Sequence, residues 1–262
     1  MATLQSGYPT YSGLRDEQLP VCISPDAERI FWPLDGVFPT AISVMKTLKS
    51  TDALEPYFGG DTSGSGSDSD SNGTWHAISQ LSLTEPEISS ITVSVMDFEH
   101  WEETWLDWHR EHLEEPSRQF VLDEDNPKMR MTEDGWETNS DDEGDLVTCC
   151  NEERPVAKQA VKLVVNPAAG REFVTIHDYL SAVHPWLISL RGEIMKAKAQ
   201  QLRQQLPTEF MVRMQNPDQL RIDGKASWLQ WKNPRRVNKG ELFWLPKEPK
   251  NEVKDVPVGQ II

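Results

Sequence analysis

Two stretches of this 262-residue chain hold almost nothing that can be buried, and they decide where a core can form. Residues 59–73 read Gly-Gly-Asp-Thr-Ser-Gly-Ser-Gly-Ser-Asp-Ser-Asp-Ser-Asn-Gly, without one apolar side chain. Such a run cannot offset the entropy of ordering its own backbone, so a disordered linker is expected there. From 123 to 157 acidic clusters recur (Asp123, Glu124, Asp125; Asp141, Asp142, Glu143, Asp145), with Trp136 as the one bulky anchor. That stretch is expected to be a second, acidic disordered insert. The remaining sequence has ordinary apolar density and nine of the chain's ten Trp, many more than a disordered chain carries.

The charge follows the same division. Residues 1–155 hold 9 Lys and Arg against 32 Asp and Glu, net −23, and residues 156–262 hold 17 against 10, net +7, which together give the −16 of the chain. An acidic half and a basic half can neutralise each other or hold different partners. No apolar run approaches the ~18 residues of a membrane span. Residues 1–11 have neither the basic patch nor the apolar stretch of a secretory signal. Cys22, Cys149 and Cys150 are odd in number and form no CxxC, which suits a reducing compartment, cytoplasm or nucleus. Adjacent Cys149 and Cys150 read as two thiols in a polar loop rather than a strained redox ring.

The segments that can fold are 1–58, 74–122 and 158–245, with a frayed tail over 246–262. In the first, Ile30-Phe31-Trp32-Pro33-Leu34 precedes a short helix expected over 40–48. In the second, Ile91, Val93 and Val95 alternate with Thr92 and Ser94 as a strand. A helix follows, with Asp97 as its N-cap, ending before Pro116. The third segment is the best specified. Val161, Leu163 and Val165 form a strand that Asn166-Pro167 ends. Thr175 and Asp178 make a capping box, with Val174 and Tyr179 placed to close a hydrophobic staple. A short helix is expected from Ile176 to Val183, stopped by Pro185, which also starts the next helix. There Leu187, Leu190, Ile194 and Ala197 recur at helical spacing to about Leu206, with Trp186 buried alongside. Phe210, Val212 and Met214 alternate in a strand, and Trp228-Leu229 begins another. One discontinuous α+β domain is the expected fold, a short helix pair on a small, mostly antiparallel sheet, interrupted by the acidic inserts.

The run 173–187, Phe-Val-Thr-Ile-His-Asp-Tyr-Leu-Ser-Ala-Val-His-Pro-Trp-Leu, with Phe210-Met211-Val212 and Ser227-Trp228-Leu229 after it, resembles a module in uncharacterised proteins of filamentous fungi. The resemblance spans residues 160–232. It implies that 160–232 is one folding unit, and it brings no activity with it.

Candidate functional residues fall into four groups. On the 97–115 helix, Trp101, Trp105 and Trp108 share a face with Phe98, His109 and His112, opposite Glu103, Asp107, Glu111 and Glu114. Such a face packs on the C-terminal segment or docks a partner, since Trp is enriched among interface hot spots. His109 and His112 stand three residues apart with Glu102 near them on the wheel, close enough to share a metal. HExxH and a zinc-type ligand spacing are absent, so they read as fillers beside Trp, and no metal, cofactor or catalytic residue is assigned. His177 with Asp178, and His184, invite an acid–base reading, but nothing in the sequence supplies their partners. Lys225, Trp228, Trp231, Lys232, Arg235, Arg236 and Lys239 interleave cations with indoles, a pattern that serves nucleic acid, nuclear import, or masking by the acidic insert. The net charge of −16 weighs against nucleic acid. Ser65, Ser67 and Ser140 precede acids at the spacing acid-directed kinases favour. The expected function is a non-enzymatic interaction or regulatory protein inside the cell, binding a protein partner and no membrane through its acidic segments, Trp101, Trp105, Trp108, Arg235 and Arg236. A hydrolase with a His-containing site and a nucleic-acid binder through 221–239 are the alternatives.

Overall fold

A computed structural model describes residues 7–48, 50–59, 73–112, 116–121, 129–132, 135–138, 145–202 and 206–233. Along the chain the strands are β1 (Cys22–Ile23), β2 (Ile30–Phe31), β3 (Ser43–Thr47), β4 (Ser50–Pro56), β5 (Phe58–Gly59), β6 (Thr74–Trp75), β7 (Thr84–Glu85) and β8 (Ile91–Val95). There follow β9 (Gln119–Val121), β10 (Met129–Thr132), β11 (Gly135–Thr138), β12 (Asp145–Cys149), β13 (Glu152–Glu153), β14 (Leu163–Val165), β15 (Phe210–Arg213) and β16 (Gln219–Gly224). The α-helices are α1 (Tyr11–Asp16), α2 (Trp101–His109), α3 (Ile176–Ser189), α4 (Arg191–Leu202) and α5 (Lys225–Lys232).

The main sheet runs β14-β8-β16-β15. β14 is antiparallel to β8, β16 is parallel to β8, and β15 is antiparallel to β16. The chain at 32–34 extends it past β15: Leu34 N–H donates to Phe210 O (2.9 Å) and Val212 N–H to Trp32 O (2.8 Å). One core therefore draws on residues from Tyr11 to Ile222. The fold is α+β, with several small, mostly antiparallel sheets. The unit implied for 160–232 is incomplete by itself, because β8 lies between β14 and β16.

Local sequence signals explain much of this. In β8, Ile91, Val93 and Val95 are buried while Thr92 is exposed. The 175–178 box closes as its residue types require: Asp178 N–H donates to Thr175 Oγ1 (3.1 Å) and Thr175 N–H to Asp178 Oδ2 (2.9 Å). Val174 and Tyr179, the staple pair, are buried.

Five expectations are corrected. Residues 43–47 form a strand, not a helix: Val44 and Met45 are both buried, and β3 hydrogen-bonds to β2 and β4. Pro185 does not stop α3. Its ring faces solvent, and burying Val183, His184 and Leu187 along the same helix outweighs the lost backbone bond. The break comes at Leu190, which is half-buried, as is Trp186. Trp228-Leu229 lies in helix α5, and Trp228 covers Met211 and Met45 on the sheet face away from the main core. Asp97 does not cap α2. Its carboxylate is buried against Lys198 Nζ (2.6 Å), and a 3₁₀ turn over Met96–Phe98 precedes the helix.

The fifth correction concerns only the described parts of the acidic insert, 129–132, 135–138 and 145–157, which were expected to lack structure; the rest of 123–157 lies outside the described residues. β10 pairs with β11, β12 pairs with β9, and Thr148 and Cys149 of β12 face Glu153 and Glu152 of β13. Leu146 and Cys149 supply the apolar contacts that acidic composition hid, closing on Trp105. The expected linker falls almost wholly on residues outside the description, as does the tail.

Leu187 is fully buried in the main core. Leu187→Ala is expected to cost about 2–5 kcal/mol in denaturant unfolding, and Leu190→Ala clearly less. Equal losses would show that the two positions are not distinguished by burial.

Candidate functional site

The six His side chains show where polar chemistry gathers. His76 bonds to Glu55 Oε2 through Nε2 (3.0 Å) and accepts from Ile78 N–H through Nδ1 (3.3 Å), a local cap. His100 is exposed beside Glu103 (3.3 Å). His177 and His184 share a helix and both face the Phe38 ring. His109 and His112 lie beside two sulfurs.

His184 is buried and both its ring nitrogens are engaged. Trp32 Nε1–H donates to Nδ1 (2.8 Å), so Nε2 carries the proton and donates to Gly36 O (3.0 Å). This arrangement needs the neutral ring, and burial holds its pKa below the ordinary value. Gly36 is required where it is: its φ is +100°, and a Cβ there would meet Ala41 Cβ at 2.7 Å. His184 thus fastens the 32–36 segment to α3, and it has no lone pair left for a substrate proton. His177 packs edge-on against Trp75 (4.3 Å between centroids), and burial lowers its pKa as well. The acid–base reading of these two residues finds a structural role for His184 and an aromatic neighbourhood for His177.

The tryptophan face divides. Trp101 (6 % exposed) stacks on Phe98 in the main core, and Trp105 (1 %) packs with Leu146 and Cys149. These two are core, which corrects the expectation that they meet a partner. Trp108 is 42 % exposed. Arg235 and Arg236 lie outside the described residues, as do Ser65, Ser67 and Ser140.

Among the described residues, the cations of the basic stretch are paired elsewhere than with the insert. Arg221 pairs with Asp223 (2.9 Å), Lys225 with Glu209 (3.0 Å), and Lys232 donates to Glu28 O (2.7 Å). Trp228 is buried, and Trp231 lies under the Arg213 guanidinium (4.4 Å), so these indoles do not form an open stacking platform. The insert contacts α2 instead: Arg154 pairs with Glu102 (2.7 Å), which also accepts from Ala157 N–H (3.2 Å). Glu102 is thereby committed to the chain leaving β13, not to the two histidines.

That contact completes a cluster the sequence divides in two. α2 ends at His109, and His112 follows one turn later. β12 ends at Cys149, and Cys150 opens the turn to β13. Cys149 Sγ lies 3.9 Å from Cys150 Sγ and 3.9 Å from His112 Nδ1, and Cys150 Sγ lies 3.3 Å from His112 Nδ1. One ligand atom from each of the four residues falls within 4.8 Å of all the others. His109 is 1 % exposed and Cys149 0 %, while Cys150 is half-buried in the turn, so the expectation of two thiols in a polar loop fails for Cys149. Burial, then His112 and Arg118, hold the His109 pKa below its ordinary value, which keeps its ring neutral. The pairs are separated by about forty residues of acidic sequence, which is why spacing gave no zinc-type pattern. A close pair of His and a pair of adjacent Cys were the available signal.

Compared with family models, curated proteins and solved structures, the chain matches none. Among the described residues, no helix is long and apolar enough to cross a membrane.

The Trp32–His184 bond makes a prediction about pH. An unfolded His takes up a proton near pH 6.5, whereas His184 in the fold resists it. Above that pH the two states bind protons alike. As pH falls below it, the unfolded chain gains a proton the folded chain refuses, so stability falls. The melting temperature is expected to drop between pH 7.5 and 5.5, and His184→Gln should flatten that drop while lowering the value at pH 7.5. An unchanged slope in the variant would remove His184 from the account.

Proposed function

We infer that this chain is a non-enzymatic interaction protein that holds a basic protein partner against the outer face of α2, inside the cell, in cytoplasm or nucleus. The observation that carries the reading is Trp108, 42 % exposed on a helix whose other outward residues are Glu103 and Asp107, with Glu111 just beyond its end. These acids belong to a half-chain of net −23. Among the described residues, Asp107 and Glu103 are held by exposed pairs, to Arg110 (3.0 Å) and His100 (3.3 Å). Such pairs contribute at most ~1 kcal/mol, so a cationic partner displaces them readily. Acidic side chains around an indole fit a Lys/Arg-rich peptide: the charges draw it in, and the ring covers an apolar stem or stacks on a guanidinium. The engagement of His184 and the burial of Trp228 make catalysis and nucleic-acid binding the weaker readings.

The test is fluorescence anisotropy of a labelled Lys/Arg-rich peptide with the full-length protein, at 50 and 300 mM salt, beside a Glu-rich peptide of equal length. The basic peptide is expected to bind, more weakly at the higher salt. Trp108→Ala is expected to weaken binding at least about fivefold, as loss of an interface anchor does. Reversing Glu103, Asp107 and Glu111 to Lys should abolish it. Unchanged affinity in both variants would overturn the reading.

A further inference from the structure

We propose that His109, His112, Cys149 and Cys150 bind one zinc ion, a closed four-coordinate site that clamps the β12–β13 hairpin onto the end of α2. This goes beyond the interaction reading and does not depend on it.

Three independent observations carry the assignment. The first is distance. Tetrahedral zinc with Zn–S near 2.3 Å and Zn–N near 2.0 Å places two sulfurs about 3.8 Å apart and a sulfur and a nitrogen about 3.5 Å apart. The sulfurs here are 3.9 Å apart, and His112 Nδ1 lies 3.9 and 3.3 Å from them. A disulfide would need the sulfurs at about 2.05 Å, so these thiols stand at the separation a shared ion sets.

The second is an orphan. His109 Nδ1 is buried without a hydrogen-bond partner. A buried ring nitrogen left in this way costs free energy that a metal bond or a partner would recover. Its Nε2 lies 4.0 Å from Glu152 Oε2, placing a carboxylate behind the ring as zinc-bound histidines usually have.

The third is backbone geometry. Cys150 and Asn151 both have positive φ, +54° and +60°. Both are the central residues of the two-residue turn between β12 and β13, since Cys149 faces Glu152. That turn favours Asn-Gly, and Asn151 suits its place, but Cys150 stands where a side chain is strained. The strain is what lets two adjacent cysteines bring both sulfurs to one point, whereas on a regular strand they would project to opposite faces.

The ligand set selects the metal. Two thiolates with two imidazoles in tetrahedral array suit zinc rather than a hard cation. On binding, the two Cys S–H protons pass to solvent as two Zn–S bonds form, and each imidazole donates a ring lone pair. The two thiolates cancel the +2 charge, so the centre is neutral, as its depth requires. All four positions are filled by protein, so the ion is structural rather than catalytic. It also supplies what the hairpin lacks, because among the described residues only Trp105, Leu146 and Cys149 are buried in the apolar cluster beneath it.

The test uses full-length protein, expressed with added zinc and purified without chelator. Elemental analysis is expected to find about one zinc per chain. Exchange for Co²⁺ should give tetrahedral visible bands with thiolate-to-metal charge transfer, and should quench fluorescence from Trp105 and Trp108. Cys22→Ser should retain all of this. Cys150→Ser and His112→Gln should each lose the metal or bind it at least tenfold more weakly. Chelation should raise protease cleavage between residues 110 and 152 at least tenfold, the expected effect of withdrawing a ligand that binds only the folded state. Should a variant fail to fold, the Co²⁺ spectrum of the unmodified protein decides alone. Wild-type protein with less than about 0.1 zinc per chain and no charge-transfer band would overturn the proposal. So would a metal-free protein two mass units lighter, which would make the pair a redox disulfide.

Discussion

Strand β8 is the piece around which the rest of the molecule is assembled. It comes from the acidic half of the chain, yet its neighbours on both sides, β14 and β16, come from the basic half. Val93 at its centre is fully buried. Neither half can complete the main sheet alone, so the division of charge marks no division into domains. The chain between β8 and β14 becomes an excursion that leaves the sheet and returns to it. Closing such an excursion costs only slowly more as it lengthens, so a long acidic insert is compatible with a tight sheet.

Buried polar contacts then fix how elements sit on that sheet. Asp97, at the end of β8, is ion-paired to Lys198 of α4 and lies within reach of Ile222 N–H in β16 (3.4 Å). Burial pushes the Asp97 carboxyl up and the Lys198 cation opposes that shift. Trp32, His184 and Gly36 O do the same work between the 32–36 segment and α3. Each contact adds little net stability, but an arrangement that left one partner buried alone would be strongly penalised. They choose one packing among several that apolar burial alone would allow.

At the far end of α2 the same logic meets a thinner core. The hairpin at 145–153 shares few apolar residues with the helix, and the Arg154–Glu102 pair and the cysteine–histidine cluster carry much of the join. The outer surface of the helix keeps its charge and Trp108. One short helix thus has a face in the main core, an end against the insert and a side turned to solvent. Its three tryptophans have three different surroundings.

How much of this was legible in the sequence depends on the range of the interaction. The alternation in β8 and the 175–178 capping box are set by neighbours within a few residues, and sequence alone determined them. Pro185 went against local preference, because burial along α3 was worth more than the lost backbone bond. At 43–47 and 225–232, by contrast, the local composition (Val44 and Thr47; Ala226, Leu229 and Gln230) favours what formed, and a reading from apolar spacing alone missed it. Trp101, Trp105 and Trp108 had one periodicity and different fates, since only packing settles which side of a helix is covered. The cysteine–histidine cluster lay furthest from view. Its two pairs stand about forty residues apart, on elements that meet only when the insert folds back on α2. Tertiary structure decided that meeting, because the proximity of side chains so distant in sequence is a property of the folded chain and not of any window along it.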